Sequence, residues 1–152
     1  MMKISKTFAT LAAAFMLATF LSACTPTVNL EAAPNSNDPA CAEVIVRLPD
    51  EIDGNQKRTT NAQATGAWGD PSAVILRCGL EPVEASTLSC VSAGEIDWLV
   101  DDSKKPSYRF ISFGRNPAIE VIVDSTAIAG VTALETLAGA VQNIEAGKTC
   151  TG

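Results

Sequence analysis

The sequence predicts an α+β domain: an N-terminal helix, a sheet of about four antiparallel or mixed strands, and a C-terminal helix packed on it. Three observations carry that expectation. Apolar residues recur at helical spacing near both ends of the globular part. Four short runs between them are apolar or alternating. Segments rich in Pro, Gly, Asp and Ser separate those runs.

The first helix is expected to start at Asp38-Pro39, with Asp38 as N-cap and Pro39 at the first helical position. Cys41, Val44, Ile45 and Leu48 follow on one face, and Pro49 ends it. Val44-Ile45-Val46 also fits a strand, since β-branched residues favour extended backbone. Asp50 to Gly66 is polar and contains Lys57-Arg58-Thr59-Thr60. Strands are expected at Ala73–Leu76, Ile96–Val100, Tyr108–Phe113 and Ala118–Val123. The last helix is expected to open on a capping box, Thr132-x-x-Glu135. Leu134, Leu137, Ala138, Val141 and Ile144 mark its apolar face, and Gly147 and Lys148 suit its C-terminal end.

Ahead of this domain lie Lys3 and Lys6, an uncharged run from Thr7 to Phe20, and then Leu21-Ser22-Ala23-Cys24. A basic start, a short apolar region and small residues before a cysteine resemble a bacterial lipoprotein signal with its lipobox. Residues 1–23 are accordingly expected to be removed. Cys24 becomes a diacylglyceryl-bearing, N-acylated first residue that anchors the chain in the membrane, on the extracytoplasmic face of the cell membrane. Multiple acyl chains anchor far more firmly than one. Residues 24–37, with Pro26, Pro34 and several Asn and Ser, are read as the lipidated N-terminus and a flexible tether. Residues 38–152 form the single domain.

The whole chain holds 11 basic and 17 acidic residues, and two of the basic ones are leader lysines. Nine basic residues against 17 acidic leave the processed chain near −8. That charge speaks against a nucleic-acid partner, which needs a basic face. It also leaves the lipid, rather than basic residues, to hold the protein to a membrane. The chain contains no histidine. Ser-His and Cys-His nucleophilic pairs are therefore excluded. No metal site and no cofactor are implied.

Five cysteines are an odd number, and lipidation of Cys24 accounts for the fifth. Cys41, Cys78, Cys90 and Cys150 remain for two disulfides, as expected of an exported domain. Three pairings exist. Cys41 with Cys78 and Cys90 with Cys150 is favoured, because the first two lie in the front half of the domain and Cys90 can meet the C-terminal tail.

Candidate sites compete with plain structural roles. Trp68, in Trp68-Gly69-Asp70-Pro71, offers a flat face for sugar or peptide, or else packs into the core above a turn. Trp98 lies inside a strand and is expected to be core. Arg47, Arg58, Arg77, Arg109 and Arg115 offer guanidinium groups for a carboxylate or phosphate. Arg77 and Arg115 are the leading candidates, against a background of separate structural ion pairs. Asp97, Asp101, Asp102 and Glu120 are the carboxylates from which a glycosidase-like pair would be drawn.

One further pattern runs through the domain. Cys41 and Leu48-Pro49 are followed by Arg58, Ala67-Trp68-Gly69-Asp70-Pro71, Leu76-Arg77-Cys78-Gly79, Asp97-Trp98 and Gly114-Arg115. This resembles an actinobacterial family of small exported proteins known as domain of unknown function 3515, over about Cys41 to Val141. The resemblance implies an envelope protein with no assigned activity and no catalytic residues to transfer. Cys41 and Cys78 match the family's pattern, which supports pairing them. The expected function is a non-enzymatic accessory or binding module whose partner is an envelope protein or a cell-wall component. The alternative is a small carboxylate-dependent hydrolase acting on wall polysaccharide.

Overall fold

The computed structural model describes residues 25–150; the leader and Cys24 lie outside them. The chain first forms helix α1 (Pro39–Ile45). Eight strands follow: β1 (Glu51–Ile52), β2 (Asn55–Arg58), β3 (Thr65–Trp68), β4 (Val74–Leu80), β5 (Ser89–Ala93), β6 (Ile96–Lys104), β7 (Ser107–Ser112) and β8 (Ala118–Asp124). Helix α2 (Gly130–Val141) closes the order. All eight strands share one sheet in the order β1-β2-β3-β4-β8-β7-β6-β5, and every pairing is antiparallel.

The α+β class stands, but the expectation of about four strands is corrected to eight. The four runs read as strands are β4, β6, β7 and β8. The other four lack a legible alternation. β2 reads Asn-Gln-Lys-Arg, β1 is two residues long, β3 contains Gly66 and Ala67, and β5 is mostly exposed. Each becomes a strand because a neighbour supplies its hydrogen bonds, which no propensity scale registers.

Alternation sets the two faces of the sheet. Ile119, Val121 and Val123 of β8, Val74, Leu76 and Cys78 of β4, Trp68 and Trp98 point to one side. There they meet Cys41 and Val44 of α1 and Leu134, Leu137, Ala138 and Val141 of α2 in one continuous core. Gly66 makes room for this packing. A Cβ at that position would lie 2.8 Å from the Trp68 ring and 2.9 Å from Leu48.

Asp38 caps α1 as its sequence suggests, accepting from the Ala40 amide at 2.8 Å. The helix ends at Ile45, short of Pro49, yet Leu48 still reaches the core. The capping box does not form. Helix α2 begins two residues before Thr132, its N-cap is Ala129, and no side chain caps it. Its turns are fixed by apolar burial instead, with Ala133, Leu134, Leu137 and Val141 inward.

The largest departure is at the N-terminus. Residues 25–37, expected to be a flexible tether, lie along the domain. Val28 forms a parallel bridge with Thr60. The Leu30 amide donates to Asn61 Oδ1 at 2.8 Å, and the Asn35 amide donates to the Gly79 carbonyl at 2.8 Å. Ala33 and Ser36 are buried. Gly79 carries φ +109°, and a Cβ there would sit 2.5 Å from the Asn35 backbone. Only glycine permits both the backbone angle and that close approach.

Candidate functional site

On the sheet face away from the helices, side chains alternate with the core residues. The upper part of this face is apolar, built on Leu99, Ile111 and Ala118. Below it the sheet places Arg77 of β4 opposite Glu120 of β8. One rung further along, Arg109 of β7 stands between Ile122 of β8 and Asp101 of β6. The last rung pairs Ser107 with Asp124 on one side and Lys104 on the other. These residues line a cleft of about 340 Å³ that includes Arg77, Asp101, Lys104, Ser107, Arg109 and Glu120.

Glu120 is the centre of the cleft floor. It is 2% exposed, on a strand whose other residues are mostly apolar. Arg77 Nε donates to its Oε2 at 2.5 Å, and Arg109 Nε donates to its Oε1. Burial alone would push the Glu120 carboxyl up; the two guanidinium groups overcome this and hold it below its ordinary pKa. Glu120 therefore stays ionised and fixes both arginines by their inner nitrogens. The Arg77 side chain is 28% exposed and that of Arg109 37%. Among the described residues their terminal nitrogens have no protein acceptor, and both side chains line the cleft.

A register shift in β6 between Asp101 and Lys104 shapes the cleft's open end. The Asp101 carboxylate accepts from the Ser103 amide at 3.0 Å. Its pKa is lowered first by its bonds to Ser103 and then by the charges of Arg109 and Lys104. Lys104 carries no ion pair among the described residues, whereas its neighbour Lys105 pairs with Asp102 at 2.6 Å. Three cations and two carboxylates leave the lining at a formal +1, within a chain whose net charge is −6. Half-exposed guanidinium groups anchored from behind are suited to phosphate or carboxylate oxygens.

The other expected site residues go elsewhere. Trp68 is fully buried, and its Nε1 donates to the Pro49 carbonyl at 2.9 Å, so it offers no exposed platform. Trp98 is core as well. Arg115 is 6% exposed and its Nη1 donates to the Ile144 carbonyl. It faces the C-terminal segment, far in role from Arg77; burial lowers its pKa, with Asp97 opposing. Arg58 bridges Asp70, the Gly69 carbonyl and the Pro26 carbonyl. Arg47 pairs with Glu43 in and beside α1.

Of the four carboxylates considered for hydrolysis, the cleft gathers only Asp101 and Glu120. Asp97 accepts from Ser92 Oγ and from the Cys150 amide, and Asp102 is tied to Lys105. The disulfides are Cys41–Cys78 and Cys90–Cys150, with Cα separations of 5.6 and 6.1 Å. The first joins α1 to β4, and the second ties the tail to β5.

Arg109 was the arginine that mattered alongside Arg77, and the sequence held a signal for it. A charged residue at the non-core position of Tyr108-Arg109-Phe110, and a glutamate inside the apolar run Ala118–Val123, are each costly alone. Two such anomalies of opposite sign in neighbouring strands point to a pair.

Comparison with known protein families supplies one match. The family described as "Protein of unknown function (DUF3515)" matches residues 2–149. The chain belongs to the DUF3515 family. The match is longer than the Cys41–Val141 span carrying the resemblance, and it takes in the docked N-terminal segment and the C-terminal tail. No curated protein and no solved structure matches the chain. For this DUF3515 member the assignment therefore brings no chemistry of its own, and the geometry of the cleft carries the functional argument.

Proposed function

We propose that this protein is a lipoprotein anchored through Cys24 to the outer face of the cytoplasmic membrane, of actinobacterial type. It acts as a non-enzymatic accessory or binding module. Its binding element is the cleft of Arg77 and Arg109, which takes an anionic group, phosphate or carboxylate, of an envelope component. The observation that carries this is the buried Glu120 gripping both arginines by Nε in the lining of the cleft, with no protein acceptor for their terminal N–H groups among the described residues. Such an arrangement holds the guanidinium groups in place before a ligand arrives, which lowers the ordering cost of binding.

The absence of histidine supports a non-catalytic role. So do the carboxylates of the cleft, since Glu120 and Asp101 are both held below their ordinary pKa. A glycosidase acid needs the opposite, a carboxyl raised so that it carries a proton near neutrality. Leader, lipobox and the two disulfides are consistent with an extracytoplasmic address.

The test uses the full lipidated protein in detergent and follows its melting temperature with added inorganic phosphate or acetate. The wild type is expected to be stabilised by at least one of them. Arg77→Ala/Arg109→Ala, with its fold verified by circular dichroism, should lose that response. A wild type indifferent to both anions would sink the cleft reading.

A further inference from the structure

The cleft and the chain's point of attachment lie at one end of one sheet face. Residues 25–31 run along the non-core face beside the cleft: Asn29, Leu30 and Glu31 line a depression together with Ile75, Arg77 and Ile122. The segment begins at the end of the sheet where β3 turns into β4. There Arg58 Nη2 donates to the Pro26 carbonyl at 2.7 Å and its Nη1 to the Gly69 carbonyl at 2.9 Å. The strand pairings fix what else is at that end. Trp68 pairs with Val74, Val74 with Val123, Ser107 with Asp124, and Lys104 with Ser107. The last rung of the cleft, Ser107 and Lys104, is thus level with the turn that holds Pro26.

Position 24 is two peptide units from Pro26, a span of at most about 7 Å whatever the backbone does. An acyl chain on Cys24 therefore holds this end of the sheet against the bilayer, with little slack. The open end of the cleft is brought to the depth of the lipid headgroups. Cations at that end are Lys104 in the cleft, Lys105 in the β6–β7 turn, and Lys57 and Arg58 of β2. Among the acids there, Asp70 is paired with Arg58 and Asp102 with Lys105, while Asp53, Asp101 and Asp124 carry no ion pair among the described residues, Asp124 accepting only from Thr126.

We infer that the anionic group bound by Arg77, Arg109 and Lys104 is the phosphate of a phospholipid with net negative charge, such as phosphatidylglycerol, in the membrane that carries the protein, rather than a soluble ligand or a zwitterionic lipid. This rests on the reading of the cleft as an anion site and on lipidation of Cys24. It adds the source of the phosphate and a fixed orientation: the end of the sheet that carries Lys104 and Ser107 is turned toward the membrane.

The full lipidated protein is placed in nanodiscs of phosphatidylcholine alone or with phosphatidylglycerol. Arginines are modified with phenylglyoxal and the rate at each is read by mass spectrometry. Arg77 and Arg109 should be protected several-fold in the phosphatidylglycerol discs, with Arg47, on the helix side, unaffected. Inorganic phosphate added to the phosphatidylcholine discs should protect much less. Protection by free phosphate with none from phosphatidylglycerol overturns the lipid source and leaves the anion cleft standing. Protection by neither removes both. A parallel fall at Arg47 would mean general masking by the disc and would also overturn the inference.

Discussion

Arg58 Nη2 donates to the carbonyl oxygen of Pro26 at 2.7 Å, two residues after the cysteine expected to carry lipid. Together with the Val28–Thr60 bridge and the Leu30–Asn61 and Asn35–Gly79 hydrogen bonds, that bond holds residues 26–35 along the domain as a strap. The Arg58 side chain is only 8% exposed, and its other end holds Gly69 and Asp70. Hydrogen bonds to a buried charged group contribute about 1.5–3 kcal/mol each way of counting. Arg58→Ala should accordingly lower stability by about 2 kcal/mol. Hydrogen exchange at the Val28 and Leu30 amides should accelerate more than exchange in β8. Equal acceleration everywhere would show a global loss and no specific strap.

Glu120 predicts a pH dependence. Its folded pKa is depressed by Arg77 and Arg109 despite burial. The unfolded chain therefore takes up this proton at a higher pH than the folded one. The stabilisation is present above the unfolded value, near 4.5, and is lost as pH falls through the lower folded value. Urea midpoints measured from pH 7 downward should fall on the acid side of about 4.5, and Glu120→Gln should flatten that part of the curve. An unchanged acid slope in Glu120→Gln would assign the effect to other carboxylates.

These two residues also show how far the sequence could be read. The face of β7 was legible because Tyr108 and Phe110 alternate with other positions, whereas β4 and β8 read only as apolar runs, with no face assigned. That Arg77 and Arg109 converge on one carboxylate was not legible, since it depends on β8 lying between β4 and β7. Sequence separates Arg77 from Glu120 by 43 residues, and only the sheet order makes them neighbours.

The disulfides close loops of 37 and 60 residues. Loop-closure entropy assigns each about 4 kcal/mol of stabilisation. Cys90→Ser/Cys150→Ser should lose about that much by denaturant unfolding at neutral pH. The same variant should free the tail, in which Lys148 pairs with Glu84 and the Gly147 amide donates to Gly114. Proteolysis confined to the last residues would mark that release; an unaltered unfolding midpoint would contradict the estimate.

Processing is tested at Cys24. Cys24→Ala should abolish metabolic labelling with palmitate and either release the protein from membranes or leave the precursor uncleaved. Undiminished labelling would refute the lipobox assignment and with it the membrane-facing orientation of the cleft.

By itself the sequence determined the α+β class, the helix start at Asp38, four of the strands and the apolar face of α2. These follow from periodicity and capping, which are local. The Cys41–Cys78 and Cys90–Cys150 pairing was favoured from chain position and is what the structure contains. Tertiary structure alone decided the four further strands, the docked N-terminal strap, the burial of Trp68 and Arg115, and the cleft. Each depends on a partner distant along the chain: Gly79 for Asn35, Pro49 for Trp68, Ile144 for Arg115, Glu120 for Arg77. A polar strand such as β2, or a proline-rich segment such as residues 25–37, has no periodic signal to declare its place. It is ordered by hydrogen bonds that neighbours offer, and those exist only once the sheet is assembled.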